Sequence, residues 1–419
     1  MQTGEVRPFW EPDIETMSAE AWQAYQDRLV REAVRRAYEE TVEGYRRMKA
    51  AGVHPDDIHG VADLPRIPVL PKDRLPDLQA QDPPFGGMVA VPITELKRVF
   101  LSPGPILDPE GDEPDYWRWA PALWAAGFRP GDIVHNTFAY HLTPAGAMME
   151  EGLRLIGAVV LPGGVGNSEW QLTLMQRAGA TGYVGTPSFL LTLLQKAAEK
   201  GLSLALRRAL VSGAPLPPSL RRTLQEEYGV DVYQGYGTAD AGCIGYECHR
   251  KEGWHVAPGI VVEIVDPATG QPVPLGETGE VVITRPDPVY PLVRLGTGDL
   301  SAWHTEPCTC GRTTPRLVGF LGRVGEGVKV RGMFVHPRQL HQALGAHPGV
   351  ARYQGVVTRE NHRDELTIQV EPTPGAALDE AALAQAVRDV VKLRVNIVIV
   401  PPGTLANEDR VLVDKRVWE

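Results

Sequence analysis

The sequence predicts an α/β fold: a large N-terminal domain of parallel sheets and helices, followed by a small α+β domain. Three observations predict it. From about residue 98, short apolar runs ending in glycine or proline alternate with helical patterns, the signature of a parallel sheet with helices on its faces. From about 255 to 320 the pattern turns to strands alone. After Gly322 a shorter unit reads β-α-β-β-α-β.

The elements follow in order. Residues 18 to 51 read as one helix, with Leu29, Ala33, Ala37, Val42 and Tyr45 near helical spacing among many charges. The stretch LPRIPVLPKDRLPD (Leu64 to Asp77) is expected to be extended or turned, because each proline removes a donor and restrains its neighbour. GDIVHNTF, VVLPGG, ATGYVGTP and RALVSGAPLP read as strands running into turns. AGAMMEEGLRLIGA, FLLTLLQKAAEKG and SLRRTLQEEYG read as the helices between and after them. Ligands of such sheets sit beyond the carboxyl ends of the strands, where these Gly-rich turns fall. VVEIVDPATGQPVPLGETGEVVIT reads as two strands around a hairpin turn at DPATGQ. In the last unit, strands are expected near 328–330, 352–358, 364–370 and 396–400, with helices at 337–346 and 379–393.

Composition narrows the function classes. The chain has 419 residues, 43% hydrophobic and 22% charged, an ordinary globular balance with room for two or three domains. A net charge of -10 disfavours nucleic acid as the main partner. No run of about 18 apolar residues marks a membrane span. The opening MQTGEVRPFWEPDIE lacks the basic and apolar parts of a secretory signal, so the cytoplasm is the expected location. Glycine (44) and proline (37) are spread along the chain, which suits loops between short strands. The sequence leaves the oligomeric state open, a homodimer included.

All four cysteines lie between 243 and 310. Cys308 and Cys310 flank one residue in PCTCGRTTPR, and Cys248 precedes His255 in ECHRKEGWH. Zinc takes four soft or borderline ligands in a tetrahedron, and two short segments can supply them. Cys248, His255, Cys308 and Cys310 would form a closed, structural Cys3His site for Zn2+, with His249 and Cys243 as substitutes. The alternative is four reduced, inert cysteines.

Three segments occur in order: YQGYGTAD (Tyr233 to Asp240), RLGTGDL (Arg294 to Leu300) and GRVGEGVKVRG (Gly322 to Gly332). Together they resemble the adenylate-forming superfamily, and within it the phenylacetate–CoA ligase family. AGVHPDDI, LPRIPVLPKDRL, PCTCGRTTPRL, VRGMFVHPRQL and VPPGTL extend the likeness over nearly the whole chain. The resemblance implies an N-terminal AMP-binding domain, 1–321, and a mobile C-terminal domain, 322–419. It implies a two-step reaction. A carboxylate attacks the α-phosphate of ATP with Mg2+ to give acyl-adenylate and pyrophosphate; the coenzyme A thiol then attacks the acyl carbon and releases AMP.

The resemblance also implies roles. Gln234, Gly235, Tyr236, Gly237 and Thr238 would line the nucleotide, the glycines letting backbone approach it and Tyr236 stacking or lining the acyl pocket. Asp240 stands where the family has glutamate and would hold Mg2+, an ion that takes oxygen ligands. Asp299 would accept both ribose hydroxyls, Arg323 would reach the nucleotide, and Gly213 and Ala214 would contact adenine. Phe138, Tyr140 and His141 would line a pocket for an aryl or other apolar acid.

Three departures stand out. Where the family has a phosphate loop rich in Ser, Thr and Gly, this chain reads LSPGPILDPEGDEPDYW. Pro103 and Pro105 lack amide donors, and Asp108, Glu110, Asp112 and Glu113 add negative charge. The tail TLANEDRVLVDKRVWE lacks the family's catalytic lysine setting, with Lys415 matching a later lysine and Arg410 a substitute of different geometry. Gly325 and Glu326 replace the hinge acid. These losses admit other readings: a relative that binds AMP or acyl-CoA without full catalysis, or an enzyme passing the acyl group to another acceptor.

Overall fold

The computed structural model describes residues 8–324, 327–331, 333–335, 337–345, 347–360, 363–405 and 411–417. The chain divides into two compact units. The larger runs to Gly322, apart from the short stretch Pro217–Leu220, and the smaller begins at Arg323.

An eight-stranded sheet organises the larger unit. Its order is Arg316–Leu317, Trp254–Val256, Gly242–Tyr246, Asp231–Thr238, Arg208–Val211, Gly182–Gly185, Ile133–Asn136 and Val159–Pro162. The last five are mutually parallel. The first four are joined by antiparallel pairing. The parallel strands are short and largely apolar, as burial under helices requires. Ala145–Ile156 is such a helix; it buries Met148, Met149, Leu153 and Ile156 and ends at Gly157, whose φ of 93° suits a glycine C-cap. The carboxyl ends of Ile133–Asn136, Arg208–Val211 and Asp231–Thr238 therefore fall side by side.

A second sheet is built from Leu70–Pro71, Leu292–Ser301, Gly279–Arg285 and Val261–Val265. Leu70 pairs with Leu295 and Pro71 with Gly296, so the Pro-rich stretch delivers Lys72 beside the strand that carries Asp299. Arg98–Ser102 and Ile106–Glu110 form a separate hairpin with Phe100 opposite Asp108.

Three local expectations change. The N-terminal helix is two helices, Ala19–Glu40 and Val42–Ala50. Thr41 breaks it by taking an extended conformation and capping the second helix through Gly44 N. The Pro-rich stretch is not wholly extended: it ends in the helix Leu75–Gln81, whose Pro76 lies in the first turn, where no amide donor is needed. In the smaller unit, Val328–Val330 pairs with Met333–Val335 in a hairpin of its own. The main sheet there is Asn396–Ile399, Arg363–Pro372, Val350–Glu360 and Leu412–Asp414. Helices Pro337–Leu344 and Glu380–Val391 share a core with it, Leu340, Leu344, Leu383 and Val387 meeting Val357, Leu366 and Ile368. Among the described residues, no helix is long and apolar enough to cross a membrane.

Candidate nucleotide site and Cys3His cluster

The strand Asp231–Thr238 carries the Gly-rich motif into the eight-stranded sheet. Gly235 and Gly237 have a packing cause. A Cβ on Gly235 would lie 2.6 Å from Trp119 Cζ3, and one on Gly237 would strike Gly242 O and Trp119. The protein's own Trp119 thus packs against the Cβ side of both glycines. Sequence reasoning missed Trp119, because its contact with the motif spans more than a hundred residues.

Tyr236 is also held by the protein. Its ring stacks on Trp254 at 4.9 Å and 17°. Its hydroxyl donates to Asp299 Oδ2 at 3.0 Å and lies 3.3 Å from Thr297 Oγ1. Thr297 Oγ1 accepts from Asp299 N and donates to Val281 O. Asp299 is therefore a buried carboxyl fixed from two sides, the rigid acceptor that recognition of a diol requires.

The neighbouring strand ends complete this side. Gly213 has φ 75°, a conformation that favours glycine, and the place of its missing Cβ faces Phe138 at 3.6 Å. Ala214 O accepts from Gln234 Nε2 at 3.5 Å, and Gln234 N donates to Glu247, which Arg221 pairs. Tyr140, half-buried, accepts from Asn136 Nδ2 at 2.8 Å. Phe138 is half-buried as well, whereas His141 is exposed. Thr238 accepts from Ala241 N and so shapes the turn that presents Asp240.

The phosphate side is different in kind. Asp240 is buried and its Oδ2 accepts a hydrogen bond from Lys72, whose side chain is 19% exposed. Asp108, also buried, adjoins Asp240. Among the described residues no hydrogen bond of ordinary geometry reaches Asp240 Oδ1 or either oxygen of Asp108, although Ser102 and Asp240 both act on the Asp108 carboxyl; the Ser102 hydroxyl also lies 3.5 Å from Ile106 O. Burial, and then the negative charge of Asp240, hold the Asp108 carboxyl well above the usual carboxylate range, against the pull of Lys72. Neither Lys72 nor the partnership of Asp108 with Asp240 was foreseen. LPKDRL and ILDPEG were visible in the sequence, but nothing local says that they converge.

Arg323 is half-buried at the start of the smaller unit, and Lys415 is exposed there. Arg410, Gly325 and Glu326 lie outside the described residues.

A second site lies at the antiparallel end of the eight-stranded sheet. Cys248, His255, Cys308 and Cys310 bring their ligand atoms within 4.8 Å of one another. His255 sits in register between Tyr246 and Arg316, which fixes its backbone. Cys248 Sγ and Cys308 Sγ are 3.7 Å apart, and Cys310 Sγ is 3.4 Å from His255 Nε2. A tetrahedron with Zn–S bonds of about 2.3 Å has S···S edges of about 3.8 Å, close to the Cys248–Cys308 separation. His255 Nδ1 is 3.0 Å from Thr314 Oγ1, the kind of outer contact that orients a ligating imidazole. Hydrogen bonding with Cys248 first, and then with His255, pushes the Cys310 thiol down to about 2. Of the substitutes, Cys243 is buried with its sulfur directed to Gly245 O, and His249 is exposed.

Comparison with known proteins places the chain. Residues 124–289 match the model of AMP-binding enzymes, and 332–417 match the AMP-binding enzyme C-terminal domain. A phenylacetate-coenzyme A ligase of Thermus thermophilus is 32% identical, with 94% of this chain and 96% of that protein aligned. The chain belongs to the phenylacetate–CoA ligase family. The Escherichia coli phenylacetate-coenzyme A ligase is 30% identical, over 85% of this chain and 84% of its own length. Among solved structures, 2-hydroxyisobutyryl-CoA ligase in complex with its acyl-AMP and CoA superposes with a TM-score of 0.89 at 28% identity, covering 99% of this chain and 94% of that one. Within the phenylacetate–CoA ligase family, then, this member joins a well-braced Asp299 to a buried pair of carboxyl groups, Asp108 and Asp240.

Proposed function

We propose that the chain is an AMP-forming acid–CoA ligase acting on an aryl or other apolar carboxylic acid. The observation that carries the reading is Asp299, buried and braced by Tyr236 and Thr297, on a chain whose full length aligns with CoA ligases. In the first step a carboxylate oxygen bonds to the α-phosphorus of ATP while the bond to the β-phosphate oxygen breaks, leaving acyl-adenylate and pyrophosphate. In the second the CoA sulfur bonds to the acyl carbon, the bond to AMP breaks, and the thiol proton passes to solvent. Asp299 binds and orients the ribose. Gln234 and Ala214, hydrogen-bonded to each other beside Gly213, brace the turn where adenine would lie. Phe138 and Tyr140 offer apolar surface to the acyl group. Mg2+, when bound, supplies positive charge to the ATP phosphates; Asp240, with a donor-free oxygen, would hold it.

The Cys3His cluster is read as a structural zinc site, since four protein ligands leave no open position for chemistry. Elemental analysis of purified protein tests it: about one zinc per chain is expected, and less than a tenth of an equivalent overturns it.

Pyrophosphate release with ATP, Mg2+ and a panel of aryl, fatty and small hydroxy acids tests the ligase. Aryl acids are expected to give the fastest release, with thioester formed on adding CoA. AMP binding by calorimetry with no release from any acid would overturn the reading. It would support instead a nucleotide binder, the alternative favoured by the acidic phosphate side.

A further inference from the structure

The hairpin Arg98–Ser102/Ile106–Glu110 holds the segment that the sequence resemblance matches to the family's phosphate loop, yet it offers little to a phosphate. Pro103 and Pro105 have no amide hydrogen. What the hairpin does offer is Asp108, 1% exposed, turned against Asp240 rather than toward solvent. Three carboxyl oxygens of this pair, Asp240 Oδ1 and both of Asp108, have no donor among the described residues. Two buried carboxyl groups share the single ammonium of Lys72, and a buried polar group without its full set of partners is expensive to maintain.

We propose that Asp108 is the second carboxylate of a divalent-cation site shared with Asp240. Hard cations such as Mg2+ and Mn2+ take carboxylate oxygens, and this pair presents three buried oxygens that no hydrogen bond of ordinary geometry reaches among the described residues. The hairpin would then grip the cation where a Gly-rich loop grips phosphate, and ATP would be held through the metal. The short reach of aspartate at position 240 is offset, because the ligand set no longer depends on that side chain alone. The groups facing Asp108 are Asp240, Lys72 and Tyr290. Lys72 holds the Asp240 carboxylate in place and covers one charge before the cation arrives.

The role in catalysis rests on the ligase reading above; the binding does not, so the test needs neither an acid nor turnover. Mn2+ binding to AMP-loaded protein is measured by electron paramagnetic resonance, in wild type, D108N and D240N. The expected result is at least tenfold weaker Mn2+ binding in both variants, with AMP affinity in EDTA within about twofold of wild type. D108N binding Mn2+ as wild type does would overturn the proposal. Should D108N fail to fold, difference infrared spectra of wild type on adding Mg2+ decide the matter. Shifts in two aspartate carboxyl bands support the pair, and a shift in one overturns it. Loss of the Mn2+ site in D108N together with no pyrophosphate release from wild type would sink the ligase reading and leave this site standing.

Discussion

The two halves of the nucleotide site are provisioned in opposite ways. Around Asp299 the side chains are held from within the protein: Tyr236 donates to its carboxylate, Thr297 accepts from its amide, Trp254 stacks on Tyr236 and Trp119 packs on the glycines of the strand. Around Asp240 and Asp108 buried carboxyl oxygens go without donors, and among the described residues Lys72 is the one side-chain cation paired with Asp240. The second half sets two buried carboxyl groups against one ammonium. A buried polar group costs free energy unless partnered, so an incomplete half retained beside a complete one marks where an outside charge belongs.

The largest expected effect breaks the ribose half. D299A removes hydrogen bonds to a charged acceptor, each worth about 1.5–3 kcal/mol. AMP affinity by calorimetry should fall about 100-fold, counting two such bonds at the lower value, whereas D240N should leave cation-free AMP affinity nearly unchanged. Equal losses in the two variants would erase the distinction between the halves.

Packing comes next. G237A drives a methyl group into Gly242 O and Trp119. Overpacking costs about 1–3 kcal/mol, so the melting temperature should drop by several degrees. An alanine variant as stable as wild type would show that the strand yields and that the ribose side is not rigid.

Cation removal separates the halves without mutation. With EDTA, binding of a non-hydrolysable ATP analogue should weaken about tenfold, roughly 1.4 kcal/mol, and AMP binding by less than twofold. Comparable weakening of both would mean that the cation serves the whole nucleotide.

The smallest effect sharpens the ribose half. Y236F deletes the hydroxyl that donates to Asp299 and keeps the ring on Trp254. One hydrogen bond is worth about 1 kcal/mol net, so AMP affinity should fall about fivefold, with stability little changed.

Much of this was legible in the chain. Alternating strand and helix patterns specified a parallel sheet, and the ordered motifs named the family. Asp299 and Asp240 could be picked out because each lies in a short Gly-rich segment of the motif series. The cysteines and His255 could be paired by their spacing, since zinc chemistry limits which side chains share an ion. The break at Thr41 was hidden, because helical periodicity continues across it and a cap is a matter of backbone conformation. The packing of Trp119 on Gly235 and Gly237 was hidden for a related reason: a glycine motif states that space is needed, not what fills it.

The sequence by itself determined the fold class, the family, and which residue types could meet a nucleotide or a metal, because periodicity and motif order are properties of the chain read in line. Tertiary structure decided the rest. It chose Cys248 over Cys243 and His255 over His249 by bringing four ligand atoms within 4.8 Å. It set Trp119 against the glycines and Trp254 against Tyr236. It also joined Lys72, Asp108 and Asp240, from three distant segments, into one buried charge cluster. Charge and burial act through space, and only the folded sheet fixes which distant side chains share that space.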